Sequence, residues 1–413
     1  MSNSNDFNRE EVNQLIQSIY KMLADSKFPG KVKDKIAREL EVLKGFTIDA
    51  RPARIAIVGR RGAGKSSLIN AIFSERRAEI GDVKARTGAG KWHTYTSASG
   101  DLEILDTRGL GEGDTPEEAV SRETAIEEVK ASIQEKCPDA ILFLSKAKEV
   151  SARIDEDLQQ LLELKTSIKM QHDFDVPIIG VVTQVDELSP KSSDKPPFDH
   201  PVKQKNIREA ADVLSEKLKQ AVAAPVNVLP VSSYMEFDGE EIVYDIRWNI
   251  DKLLDYMLDK LPNEAQMILA KLSKIKSVQK KIARRIGKST AGVTGVIGGS
   301  PIPLADLPVI TGLQMTMISA IAMIGGTKLN KKGVIDFLGA LGLNVAAGFA
   351  LRQAARQLLK VIPVAGNVIS GAIATAGTYA LAEAAIAYFI DGKSLDDVKE
   401  TYDDVFEEEK EAK

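Results

Sequence analysis

A chain of 413 residues with 44% hydrophobic content is too long for one compact core and implies two or three packed units. Its net charge of -4 comes from 55 basic and 59 acidic residues, which excludes bulk attraction to nucleic acid as an organising force. The single cysteine, Cys137, cannot close an internal disulfide, and His93, His172 and His200 are too scattered for a metal site.

The polar, acidic start MSNSNDFNREEVNQLI has no basic segment followed by an apolar one, so synthesis in a reducing cytoplasm is expected, with a later membrane encounter left open. Val12, Leu15, Ile16, Ile19 and Leu23 recur at helical spacing, and the break KFPGK divides residues 1–50 into a pair of helices. Residues 51–262 then alternate short β-branched runs with polar helical stretches. The runs are RIAIVG, DLEILD, DAILFLS, VPIIGVVT and VNVLPVS, a pattern that predicts a doubly wound, mostly parallel α/β sheet. A helix over Ile246–Pro262 closes this unit, with proline as its stop.

Residues 263–413 read as helical throughout. Residues 264–288 carry eight Lys or Arg against one acid, Glu264, and predict a basic helix over Lys271–Lys288. Two uncharged stretches follow, Leu307–Thr327 and Val361–Ala382, before an acidic tail. As helices each would be about 32 Å long, close to a bilayer core. Against spanning stand Pro308, Gln314, Pro363, Asn367, Ser370, Thr375 and Thr378. The Gly and Ala content suits a tightly packed bundle equally well. The basic helix reads either as a contact for anionic lipid or as a solvated face.

The stretch IAIVGRRGAGKSSLINAIF carries the chemistry. Gly59–Ser66 fits G-x-x-x-x-G-K-[ST] between a strand and an amphipathic helix. Glycines at 59, 62 and 64 let the amides around Ala63 curl about an anion, and the next helix start, with Ser66 and Ser67, favours negative charge. Lys65 would reach the β- and γ-phosphates and the Ser66 hydroxyl would ligate Mg²⁺. In LEILDTRGLGE, Asp106 ends a strand three residues before Gly109, placing a carboxylate for Mg²⁺ and an amide for the γ-phosphate.

GVVTQVDEL resembles the [NT]-K-x-D element of GTPases, with Thr183 first and Asp186 as the aspartate that pairs with guanine. Gln184 replaces the usual lysine, which puts base affinity in doubt. Ser232 and Ser233 in LPVSSYM stand where the loop contacting guanine O6 is expected. Residues 54–262 therefore resemble a translation-factor-class G domain of the Era-like kind. That resemblance implies GTP/GDP and Mg²⁺ as cofactors and GTP hydrolysis as the reaction.

In switch I, Thr87 is the preferred Mg²⁺ ligand, with Thr94 or Thr96 as alternatives. Leu110 occupies the position where Ras-like enzymes hold a water-orienting glutamine. Arg61 resembles in position a catalytic side chain of dynamin-like proteins; otherwise Arg60 and Arg61 point to solvent or to an acid such as Glu112.

Residues from about Ser300 to Gly392, opening IPLADLP, resemble the bacterial domain DUF697. Helices on both sides of a G domain resemble immunity-related GTPases in architecture, which implies that the N- and C-terminal helices pack together. The combined reading is a slow GTPase acting as a switch, signalling through Arg108–Ser121 to a helical region. An anionic membrane surface and a nucleotide-dependent homodimer through the G domain are the implied partners. A non-hydrolysing scaffold and a ribosome-assembly GTPase are the alternatives, and no RNA-binding signature accompanies the basic helix.

Overall fold

The computed structural model describes residues 9–25, 29–77, 91–107, 122–152, 154–299, 307–342 and 371–411. It divides into two compact units, one of residues 52–274 and one joining 1–51 to 275–413.

The first unit is built on a six-stranded sheet of β1 (Ala53–Val58), β2 (Trp92–Ser97), β3 (Gly100–Asp106), β4 (Ala140–Lys146), β5 (Ile178–Thr183) and β6 (Val228–Pro230). Their order is β2-β3-β1-β4-β5-β6, and only the pairing of β2 with β3 is antiparallel. The five apolar runs are β1, β3, β4, β5 and β6. Both faces of the central strands are covered, so β1 and β4 are almost wholly buried instead of alternating. Around them lie α3 (Lys65–Phe73), α4 (Arg122–Glu135), α5 (Asp155–His172), α6 (Pro201–Val222), α7 (Ile250–Lys260) and α8 (Asn263–Ser273). A hairpin of β7 (Met235–Asp238) and β8 (Glu241–Asp245) precedes α7.

Two boundaries differ from the sequence reading. The helix expected to begin at Ile246 begins at Ile250, because Ile246 and Trp248 pair through their backbones with Tyr234 and Ser232 and Asn249 takes a left-handed conformation (φ 59°). The unit expected to end at Pro262 extends to Lys274, because α8 buries Ala265, Met267, Leu269 and Leu272 and packs on β1, β3 and α3. The basic helix is consequently not continuous. Lys274 takes a left-handed conformation (φ 55°) and Ile275 an extended one, and α9 (Lys276–Gly298) starts beyond them.

In the second unit α9 packs against α2 (Gly30–Thr47), α10 (Leu307–Ile324) and α12 (Gly371–Phe389), while α1 (Arg9–Asp25) lies on α2 and α10. Helix α11 (Lys331–Ala340) packs on α10, and α13 (Leu395–Glu411) on α12. Several basic residues of α9 are engaged within this unit. Lys280 pairs with Asp391 at 2.7 Å, Arg284 with Glu383 at 2.9 Å, and Arg285 lies over the Phe46 ring. Among the described residues only Gly371–Phe389 is long and apolar enough to cross a membrane, and 61% of its most apolar 18 residues is buried. Its Thr378 hydroxyl, fully buried, meets Thr294 and Gln314, each at 2.9 Å.

Candidate nucleotide site

In open α/β sheets ligands bind beyond the carboxyl ends of the strands where the order reverses, here between β1 and β4. The loop Gly59–Gly64 occupies that point. Gly59 has φ +155°, and a β-carbon there would lie 2.6 Å from the Leu144 carbonyl of β4. Gly62 and Gly64 also have positive φ, Gly64 serving as the left-handed cap of α3. The Ala63 amide closes a turn onto the Arg60 carbonyl at 3.1 Å. Lys65 curls back over the loop to donate to the carbonyls of Gly59 and Arg60. Ser66 and Ser67 follow, half-buried, in the first turn of α3. A backbone concavity at a helix start with an ammonium folded across it is suited to a polyphosphate.

Two residues from the end of β5 lock onto this loop. Thr183, fully buried, donates to the Ala63 carbonyl at 2.9 Å. Gln184, held at φ 57°, donates from Nε2 to the Gly62 carbonyl at 2.8 Å. The side chain that looked like a defect is thus a brace between the two loops. Beyond it, Asp186 sits in a tight turn, Val185–Glu187. The Val231 carbonyl accepts from the Val185 amide at 3.4 Å, and Ser232 exchanges backbone bonds with Trp248. Ser232 and Ser233 are buried, and the Ser232 hydroxyl has no partner among the described residues.

The arginines separate. Arg60 donates from Nε to Asp157 of α5 at 2.7 Å, an acid on α5 that its spacing in the sequence does not announce. Burial pushes the Asp157 carboxyl above the ordinary aspartate range while Arg60 pulls it down. Arg61 is exposed and makes no ion pair among the described residues. Beside this pair Lys146 reaches Glu149 at 3.1 Å, and its Nζ would lie 3.2 Å from a β-carbon on Gly62.

Asp106 ends β3 in register with Ile57, and Thr107 after it donates to the Ile57 carbonyl at 2.8 Å. Thr87, Gly109, Leu110, Glu112 and the rest of Arg108–Ser121 lie outside the described residues. Thr94 and Thr96 lie in β2 opposite Glu103 and Asp101. At strand rise these positions are roughly 10 and 17 Å along the sheet from Asp106. Lys146, Asp157 and Lys203 carry no signal in the sequence, because nothing in their spacing reveals contact with a loop.

Comparison with known proteins agrees with this geometry. Residues 54–182 match the family of 50S ribosome-binding GTPases (MMR_HSR1), and residues 264–411 match the domain of unknown function DUF697. The chain is 29% identical over 159 residues to the tRNA modification GTPase MnmE of Bacillus cereus, covering 38% of this chain and 33% of that protein. With the MnmE of Sulfurimonas denitrificans it shares 28% over 140 residues, 32% of this chain and 30% of that protein. The match thus spans about a third of the length of these relatives. Among solved structures, the bacterial dynamin GTPase LeoA from ETEC is 13% identical with a TM-score of 0.37, covering 99% of this chain and 96% of that one. The chain carries a P-loop GTPase domain followed by a DUF697 domain.

Proposed function

We propose that this protein binds GTP and GDP with Mg²⁺, hydrolyses GTP to GDP and phosphate, and acts as a nucleotide-gated switch coupled to its helical unit. The observation that carries the reading is the pair of bonds from Thr183 and Gln184 to the Ala63 and Gly62 carbonyls. They join a loop shaped for phosphates to a loop shaped for guanine, which a tight turn before a core helix does not require.

In this reading the loop amides and Lys65 bind the phosphates, Asp186 pairs with the guanine ring, and the Ser232–Ser233 backbone faces its O6. Ser66, Asp106 and Thr87 would hold Mg²⁺, which when bound neutralises charge on the β- and γ-phosphates. The hard hydroxyl oxygen of Ser66 in the first turn of α3 fits such a cation. The Gly109 amide would sense the γ-phosphate. Water attacks in line, and with Leu110 unable to orient it, Arg61 supplies charge to the γ-phosphoryl oxygens. Its exposure, with Arg60 committed to Asp157, supports assigning that task to Arg61.

The output is the helical unit. The buried polar contacts of α12 and the internal pairing of α9 favour a packed bundle over a membrane-spanning one. Contact with an anionic surface or with a second copy then belongs to its exterior. The test is displacement of fluorescent GDP, followed by single-turnover GTP hydrolysis. GDP should outcompete ADP by at least ~100-fold, and Arg61→Ala should slow phosphate release by at least ~10-fold at matched occupancy. Equal competition by ADP would remove the guanine assignment, and an unchanged rate would remove Arg61.

A further inference from the structure

Lys203 is fully buried in the first turn of α6. That is a poor place for an ammonium, since it is out of water and beside the positive end of a helix. Burial pushes it below the usual lysine range, with the Asp186 carboxylate pulling it partly back. Its compensation is specific: Nζ donates to the Asp186 carbonyl at 2.6 Å and to the Leu188 carbonyl at 2.7 Å, and it stands 5.1 Å from the centre of the Phe198 ring. Its neighbours repeat the pattern on the same loop. Gln204 donates to the Phe198 carbonyl at 2.8 Å, and Asn206 to the Ser189 carbonyl at 3.0 Å.

We infer that Lys203 is a positioning residue for base selection: by holding the carbonyls on either side of Glu187, it fixes the backbone from which Asp186 meets guanine. The inference rests on the guanine reading above. A lysine used only to fill the core would be a costly choice there, since an apolar side chain of the same length avoids the desolvation. Two carbonyl bonds, one to the middle residue of the Val185–Glu187 turn and one to Leu188 just after it, fix both the position and the rotation of that turn. Base discrimination depends on both, because the Asp186 carboxylate must meet the ring N1–H and the 2-amino group together.

The experiment compares GDP with IDP, which lacks the 2-amino group, as competitors of fluorescent GDP. Wild type, Lys203→Met and Asn206→Ala are used as the full chain, with melting curves to establish folding. Wild type should prefer GDP by roughly tenfold or more, the scale of one charge-assisted hydrogen bond. Lys203→Met should reduce that ratio to within about threefold, and Asn206→Ala should reduce it part of the way. A general weakening of both nucleotides at an unchanged ratio in folded Lys203→Met overturns the inference. If Lys203→Met does not fold, an unchanged ratio in Asn206→Ala overturns it instead. A wild type that fails to prefer GDP overturns the guanine reading itself, which the wild-type curves show before any variant is made.

Discussion

Two stretches of this chain are rich in glycine, and they use it for unrelated reasons. In Gly59–Gly64 three glycines take positive φ and let the backbone close around an anion. In α9 the glycines are helical, and what matters is the missing side chain. A β-carbon on Gly298 would lie 2.8 Å from the Ala374 β-carbon, and one on Gly295 would overlap the Thr375 hydroxyl. Composition is alike; in one place glycine provides conformations, in the other it provides proximity between helices.

That contrast can be broken by substitution. Gly59→Val puts a branched side chain against the Leu144 carbonyl in a conformation valine avoids. Nucleotide binding should weaken by at least ~100-fold, or about 2.8 kcal/mol, by calorimetric titration. Gly295→Leu overpacks the contact between α9 and α12 and should lower stability by about 2 kcal/mol in denaturant unfolding, with the phosphate loop's affinity for GDP retained in the fraction that stays folded. Equal damage to binding by both variants would show that the two uses of glycine are not separable.

A finer probe of the helical unit is Thr378→Val. Valine keeps the shape but removes the oxygen that meets Thr294 and Gln314, leaving the buried Gln314 amide without that partner. The expected loss is about 1.5 kcal/mol, read from the same unfolding curves. Restoration by the added change Gln314→Leu would attribute the loss to the unsatisfied amide, not to packing.

The two regions were also unequally legible. The five strands and the phosphate loop were readable because aliphatic runs and G-x-x-x-x-G-K-S spacing are local signals. The β7–β8 hairpin was equally local, since Asp238-Gly239 stands between alternating apolar residues, a strong turn signal, yet the helical pattern after it dominated the reading. The bracing contact of Gln184 was hidden for a different reason. Its worth lies in an amide reaching Gly62 across 122 residues of sequence, and spacing carries no information about such a bond. The same holds for Lys203, whose sequence neighbourhood HPVKQKNI looks like an exposed helix start. In the helical unit the apolar stretches announced burial without saying against what. Lys280 and Arg284 read as a lipid contact or a solvated face, because spacing does not reveal Asp391 and Glu383 beside them.

The smallest expected effect concerns charge, where the sheet unit provides its own contrast with Asp157. Glu103 on β3 accepts from Arg54 at 3.0 Å and Lys136 at 2.9 Å. Burial raises its carboxyl, but the two cations outweigh burial and hold it below the usual glutamate range, the opposite outcome to Asp157, where burial outweighs the pull of Arg60 and the more distant Lys65. The sign follows from linkage. A carboxyl lowered in the folded state contributes stability above its unfolded value, about 4.3, and that contribution is lost as pH falls through the lowered folded value. Near pH 7 Glu103→Gln should therefore cost about 1 kcal/mol or less, partial exposure of the network keeping the figure small. Wild type and variant melting temperatures should converge as pH falls below about 4, and a gap that persists there would mean that Glu103 acts through shape and hydrogen bonding instead of charge.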